Sequence, residues 1–526
     1  MFSHSERAVY PALLISVLII AGCGILYELL LSSISSYFLG NSILQFSFTI
    51  GLFMFFMGVG SYLSKYIQNN LFDTFINIEI ILGFIGGISA TALYLSYAYT
   101  KQYYLYNILF IALLGLLIGL EIPIVARIIS KYSSLKETVA KVFSFDYIGA
   151  LAASLLFPLV LLPWLGVIKT AFLIGIINLI IALYNAWFFR KLLQNGIIQA
   201  TVSGLLILFF AVAMFFSSKI DDKLEQKIYQ DKIIFSKQTK YQKLVLTRWN
   251  NDYRLFINGA IQFSSSDEYR YHESLVHLPM LLSASNENIL ILGGGDGMVV
   301  REVLKYPDVK NIHLVDLDPE ITKLAKENQI FRDLNKNSLH DNRLKVYNQD
   351  AYNFIKKSSD VYSVIIIDLP DPNDTGLGKL YTKEFYKMLS GRLDAGGIVV
   401  TQSTSPYFAP TAFWCIKHTI DSVFSHVIPY QTNVPTFGIW GFVMAGGGVN
   451  KTFANDSINF TNNIRAKVAR KLKTISTLKN LKYFSAEKIP AMFYFEKDLE
   501  EISTEINTLS TQKLVDYYNK SADNWR

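Results

Sequence analysis

The chain has 526 residues, of which 51% are hydrophobic, 14% aromatic and 17% charged, with a formal net charge of +7. Charged residues are scarcer than the ~25% usual in soluble proteins, and the shortage is local: residues 1–218 hold ten Lys/Arg and seven Asp/Glu, residues 219–526 the other 39 and 35. A wholly soluble or wholly integral protein is thereby excluded, the evenly spread positive charge gives no ground for a nucleic-acid partner, and two cysteines, Cys23 and Cys415, exclude a disulfide framework or a Cys-based zinc site.

Seven apolar runs open the chain, at about 10–31, 43–64, 76–98, 103–124, 145–163, 167–188 and 199–217. Most reach the roughly 20 residues that a helix needs to cross a ~30 Å hydrocarbon core. They predict an α-helical transmembrane bundle of about seven spans over residues 1–218, with the lipid bilayer as a partner. The fifth and sixth are separated only by Pro163-Trp164-Leu165-Gly166. The first run is too long for a signal peptide, has no small-residue cleavage site and is expected to be retained. Cys23 lies in it and reads as a small buried residue.

Four carboxylates fall in or at the ends of these runs: Glu28, Glu79, Glu121 and Asp146. Intramembrane carboxylates can mark a substrate path, but most of these lie near run ends, so interfacial water is their expected surrounding. Gly58, Gly60, Gly149, Ala150, Ala152 and Ala153 suggest close helix packing. With the N-terminus inside, inner loops would carry Arg7, Lys65, Arg127, Lys131, Lys136, Lys141, Arg190 and Lys191, and outer loops only Lys101 and Lys169. That bias favours N-inside, and seven spans would then place the soluble part outside.

From 219 to 282 the sequence predicts a small antiparallel β part. Trp249-Asn250-Asn251-Asp252 and Asn258-Gly259 mark turns, and a helix follows at about 267–283. From 283 to 446 the pattern becomes strand–helix alternation. NILILGGGDG, NIHLVDLD, RLKVYNQD, YSVIIIDLPDP, GGIVVTQ and WGFVMAG are the strands. Near-continuous Val/Ile/Leu strands between helices mean a doubly wound, Rossmann-like domain of the methyltransferase type with a parallel core, whose ligand lies beyond the C-terminal strand ends. The tail, 447–526, is a helical extension with no repeat or metal motif, expected either to pack on the α/β domain or to touch anionic lipid.

Gly293-Gly294-Gly295-Asp296-Gly297 ends the first of these strands. Glycines allow a sharp turn and close approach to a ligand. The dinucleotide pattern G-x-G-x-x-G is broken by Met298, and Asp296 would repel a pyrophosphate and attract a cation such as a sulfonium nucleoside. Asp316 ends the second strand, where a carboxylate can accept from ribose hydroxyls. Asp350, followed by Ala351, ends the third, where an adenine amino group could be accepted. Asp368 and Asp371 end the fourth. A single such Asp is readily a helix N-cap; five in register at successive strand ends point to a site.

Residues 239–445 resemble the aminopropyltransferase family, the spermidine synthases. The resemblance rests on Tyr241-Gln242, GAIQ (259–262), DEYRYHE (267–273), GGGDG with Arg301-Glu302-Val303, LVDLD (314–318), QDA (349–351), DLPDP (368–372) and PTFG (435–438). With the N-terminal spans it is similar to a bacterial membrane-embedded branch. The resemblance implies transfer of the aminopropyl group of decarboxylated S-adenosylmethionine, a co-substrate and not a bound cofactor, to putrescine, giving spermidine and methylthioadenosine, with no metal. Gln242, Asp316, Asp350 and Ala351, with Gly293 and Gly295 in the turn, would hold the donor nucleoside. His272, Asp296, Asp371 and Gln262 would hold polyamine amines, Asp368 would accept the proton, and Tyr271 would stand beside it. The family's Gly-Pro-Ala is here Asn373-Asp374-Thr375-Gly376, and a pocket Tyr is Phe437, which bears on the acceptor amine. The alternatives are an amine N-methyltransferase and a polyamine transporter or sensor. A homodimer is among the assemblies this reading allows. The donor is made in the cytoplasm, so the catalytic domain is expected there, against the charge bias; access to the donor is given the greater weight.

Overall fold

The computed structural model describes residues 4–40, 42–100, 102–446 and 457–523. The chain divides into two compact units, Met1–Ile233 and Ile234–Arg526.

The first unit is helical: α1 (His4–Leu39), α2 (Ser42–Leu63), α3 (Leu71–Tyr99), α4 (Tyr103–Ile129), α5 (Leu135–Leu156), α6 (Leu162–Phe188) and α7 (Gly196–Ile228). Among the described residues, six helices are long and apolar enough to cross a membrane. One of them, Lys136–Phe188, is a 53-residue run containing both α5 and α6. It is not straight. A π-turn at Phe157–Leu161 precedes Gly166, whose φ of 71° and ψ of −174° are not helical. Packing on α1 shows that the chain reverses there. Lys141 Nζ lies 5.1 Å from the centre of the Tyr10 ring, and Gly149 packs so closely that an added Cβ would stand 2.0 Å from the Leu18 carbonyl oxygen. Much further along the chain, Asn185 is back at Ser16, 3.1 Å from its hydroxyl. The expected turn at 163–166 is therefore a hairpin tip.

Close approach at small residues holds the bundle together, as helices in an apolar medium require. An added Cβ on Gly60 or Gly119 would stand 2.1 Å from the carbonyl oxygen of Leu116 or Met57. Gly58 faces open space instead. The carboxylates depart from expectation. Glu79 and Glu121 are 0% and 3% exposed, away from water. The reason is that α3 begins at Leu71, ahead of the run that opens at 76, and α4 continues to Ile129, past the run that closes at 124, so Glu79 and Glu121 near those edges lie within a helix.

In the second unit, β1 (Lys232–Gln238), β2 (Lys243–Trp249), β3 (Asp252–Ile257) and β4 (Ala260–Ser264) form a four-stranded sheet in chain order, and α8 (Glu268–Leu282) follows. The remaining strands are β5 (Asn288–Gly293), β6 (Asn311–Asp316), β7 (Leu344–Asn348), β8 (Tyr362–Asp368), β9 (Leu393–Gln402), β10 (Val427–Val434) and β11 (Gly438–Gly446). Their order is β10-β11-β9-β8-β5-β6-β7. The five from β7 to β9 are parallel, and β11 runs antiparallel to β9 and β10. Strand β10 has no sequence expectation. Its apolar pattern is broken by Pro429, which an edge strand tolerates. Leu290, Leu292, Ile365 and Ile367 are fully buried, as central parallel strands covered on both faces require. The chain turns to β6 on one side of β5 and to β8 on the other, so the crevice beyond their C-terminal ends is the topological switch point.

The later helices are α9 (Met298–Val303), α10 (Pro319–Glu327), α11 (Gln329–Asn335), α12 (Ala351–Lys357), α13 (Thr375–Gly378), α14 (Lys383–Ser390), α15 (Pro410–Asp421), α16 (Ser457–Thr474), α17 (Ile489–Met492) and α18 (Lys513–Asp523). The tail packs on the α/β unit. Glu273 of α8 accepts from the backbone N–H groups of Lys482, Tyr483 and Phe484 at 2.8–2.9 Å, and Lys467 donates to the Leu282 carbonyl at 2.8 Å.

Candidate active site

The glycine-rich turn fits because side chains are absent. An added Cβ on Gly293, at φ 82°, would stand 2.0 Å from the Asp368 carbonyl oxygen, and one on Gly295 would stand 2.6 Å from Asp316 Oδ2. The turn's N–H groups join neighbouring strand ends instead: Gly294 donates to the Asp368 carbonyl and Gly295 to Asp316 Oδ2, both at 3.0 Å. Half-buried Asp296 accepts from Met298 N–H at 2.9 Å.

Asp316 also accepts from Asp318 N–H at 2.9 Å. Burial pushes its carboxyl up to about 6, against the two backbone donors. Gln242 is brought to this corner through Thr239, whose hydroxyl donates to Asp318 Oδ2 at 2.7 Å and accepts from Gln242 N–H at 3.0 Å. Asp350 caps α12, accepting from Asn353 N–H at 2.9 Å, and its other oxygen takes Lys379 Nζ at 2.7 Å; Ala351 is buried behind it. The carboxylate that the sequence offers to an adenine is thus engaged by a helix cap and an ammonium. Gln262 donates its amide to the Ala260 carbonyl of its own strand at 3.2 Å, and no described hydrogen bond joins it to the carboxylates.

At the end of β8 the Tyr271 hydroxyl donates to Asp368 Oδ1 at 2.6 Å. Burial pushes Asp368 up to about 6, with the nearby His272 cation opposing the shift and Asp296 adding to it. Burial likewise pushes Asp371 up to about 6. Asp371 accepts from the Tyr518 hydroxyl of α18 at 2.8 Å. Gln402 donates to the Leu369 carbonyl at 2.7 Å and braces the same loop. Rings of Phe437, Trp440 and Phe442 surround Tyr271 at 5.4–6.5 Å between centres. Trp440 Nε1 is buried and without a partner among the described residues.

His272 is buried and hydrogen-bonded through Nδ1 to Glu268 Oε2 at 2.7 Å. Burial alone would lower it; Glu268, with Asp296 and Asp368 nearby, holds it at about 9 instead. Glu268 in turn takes a two-pronged contact from Arg301 at 2.9 and 3.0 Å. These partners pull its carboxyl down to about 2 although burial opposes that. Glu268, Arg301 and Tyr518 have no role in the sequence reading. The spacing of Glu268 and His272 at i and i+4 on one helix was a signal for the first; nothing local signals Tyr518. Among the described residues, no group of three or more His, Cys, Asp or Glu side chains is placed to hold a metal.

Tyr271, His272, Asp296, Asp316, Asp368 and Asp371 therefore cluster where the strands end, acidic on balance, with one imidazolium among them. Such a surface suits a small cation with a basic nitrogen.

Comparison with known proteins places this arrangement. The Spermine/spermidine synthase domain matches residues 268–456. A polyamine aminopropyltransferase of Leptospira interrogans is 42% identical over 510 residues, covering 97% of this chain and 98% of that one. One of Oceanobacillus iheyensis is 38% identical over 516 residues, 96% of each. A solved spermidine synthase in complex with the transition state analogue AdoDATO is 25% identical, with a TM-score of 0.46, over 51% of this chain and 88% of that chain.

Proposed function

The chain belongs to the polyamine aminopropyltransferase family, and on that premise we propose that it transfers the aminopropyl group of decarboxylated S-adenosylmethionine to putrescine, yielding spermidine and methylthioadenosine. The observation that carries this is Asp368, half-buried, held by Tyr271 and standing beside Asp296 and the glycine-rich turn.

The reaction is a displacement. A primary amine attacks the propyl carbon bonded to the sulfonium, the C–N bond forms, and the C–S bond breaks with its electron pair going to sulfur. The acceptor, like Lys with a pKa of about 10.4, arrives as an ammonium and must shed a proton to expose the lone pair that attacks. Asp368 at about 6 is ionised at neutral pH and can take that proton once desolvation in the pocket has lowered the amine's own pKa. Asp371 would hold the acceptor's other ammonium and Asp296 the donor's aminopropyl end. Asp296 would also repel the carboxylate of ordinary S-adenosylmethionine, which disfavours methyl transfer. Asp316 and Gln242 would hold the nucleoside, and Asp350 its adenine once Lys379 is displaced. An imidazolium repels ammonium, so His272 serves as the cation that keeps Asp368 ionisable in a buried site. Purified full-length protein should form spermidine from the two substrates. Its failure to do so, with donor bound, would refute the assignment.

The acid limb of kcat/KM should lie near pH 6. Asp368 is raised to about 6, so its basic form is lost as pH falls through that value, and Asp371 and Asp316 at about 6 steepen the fall. A profile from about pH 4 to 8 checks this; a limb near the ordinary carboxylate value contradicts it. Tyr518→Phe removes one hydrogen bond to a carboxylate, worth ~1.5 kcal/mol. Amine KM should rise about tenfold with donor affinity unchanged; equal effects on both substrates would show that Tyr518 acts on the fold and not on Asp371.

The helical unit reads as a cell-membrane anchor. Because α5 and α6 form a hairpin, seven limbs would cross, and the unit's two ends would emerge on opposite sides. The cytoplasmic donor supports a cytoplasmic catalytic unit and an outward N-terminus. A reporter fused after Arg526 tests this; periplasmic activity of that fusion would reverse the orientation.

A further inference from the structure

Between α1, α2, α4 and α5 lies a cavity of about 80 Å³, part of it open to the outside, several times the ~10–15 Å³ that a single water needs. Glu28, Glu121 and Asp146, each from a different helix, reach it. The other lining side chains are apolar, among them Ile20, Phe53, Met57 and Ile118. None of the lining residues is basic, and no described ion pair involves these three carboxylates or Glu79.

The hydrogen-bonding deficit at this place has one sign. Glu121 is 3% exposed, and its Oε1 has no partner. Behind it Glu79, fully buried, accepts from Asn178 Nδ2 at 3.2 Å through one oxygen while the other is unpartnered, as is Asn178 Oδ1. Every one of these orphaned atoms is an acceptor. Glu79 and Glu121 share a side-chain hydrogen bond, and Glu79 and Asn178 stand outside the cavity lining; what faces the cavity is Glu121 with Glu28 and Asp146. Leaving these three without a counter-charge is costly, and the group that completes them must donate several hydrogen bonds and carry positive charge. An ammonium does both, and the apolar walls suit a methylene chain attached to it. An anion is excluded by the carboxylates. A proton shared by Glu79 and Glu121 serves that pair but leaves Glu28, Asp146 and the volume unused.

We propose that the helical unit contains a second amine site, in which Glu28, Glu121 and Asp146 bind the ammonium end of an aliphatic di- or polyamine. The site itself follows from the cavity and its orphaned acceptors; the choice of amine rests on the proposed function of the other unit.

The test is equilibrium binding of radiolabelled putrescine to the full-length protein in lipid nanodiscs, with no donor present. Two variants are compared with the parent: Glu121→Gln, which removes a charge, and Ala150→Phe, which fills the cavity and removes none. The expected result is that about one equivalent of bound putrescine per chain disappears in both, while spermidine synthesis persists. If Glu121→Gln does not fold, Ala150→Phe carries the comparison. Isotherms identical in the parent and both variants overturn the proposal, as does equal displacement of the label by sodium ions and by unlabelled putrescine. A parent that makes no spermidine yet shows the variant-sensitive component would refute the catalytic reading and leave this one standing. A parent that makes spermidine without that component would do the reverse.

Discussion

Asp368→Asn should lower kcat by about 10²–10⁴-fold while donor binding survives, since a positioned base contributes on that order. The substitution keeps the shape of the side chain and its contact with Tyr271, which donates at 2.6 Å. The contacts proposed for the donor at Asp316 and the Gln242 corner lie on neighbouring strand ends, so its affinity should move little. What is lost is the carboxylate hydrogen-bonded to Tyr271, whose ring is packed among those of Phe437, Trp440 and Phe442. Residual turnover then reflects positioning, which by itself gives much of the rate in a displacement between two bound reactants. Single-turnover rates with saturating substrates, read beside donor titrations, separate the two effects. A variant turning over at the parental rate would remove Asp368 from the chemistry.

The second large effect is on stability. Glu268→Ala leaves Arg301 and the His272 imidazolium in a buried setting without the carboxylate between them. Breaking a buried ionic cluster from one side costs about 3–5 kcal/mol. The melting transition of the catalytic unit, followed by near-UV dichroism in the full chain, should fall by roughly 10 °C. The pH dependence has a definite sign. Glu268 is pulled down to about 2, so its contribution is present above its ordinary value and disappears as pH falls through 2. His272 is held at about 9, so its contribution is complete below its ordinary value of about 6.5 and disappears as pH rises through 9. The parent's stability advantage over the variant should therefore shrink on both sides. An unchanged melting temperature would show that the cluster is not a structural element.

Much of the catalytic unit was legible because its signals are local. Short Val/Ile/Leu runs bounded by Gly and Asp give strands, and the position of each Asp at a run's end predicts where its side chain emerges. What was not legible depends on residues distant in the chain. Tyr518 reaches Asp371 only because α18 folds back. Lys379 reaches Asp350 across 29 positions. Strand β10 is disguised by Pro429 and by polar positions on a sheet edge. In the helical unit the apolar runs located the helices α1 to α7 and the turn at Gly166. They did not give helix ends, and for that reason the burial of Glu79 and Glu121 was missed: hydropathy stops at a charge, whereas a helix continues through it.

The placement of Tyr518 has a consequence for biogenesis. Polypeptides emerge N-terminus first and their domains fold in that order. The helical unit can therefore be complete while the second unit is still emerging. Leu514 of α18 is fully buried in the core of that second unit, so it cannot finish folding until its last residues are out, and a nascent chain halted short of residue 518 would lack both that core contact and the hydroxyl that holds Asp371.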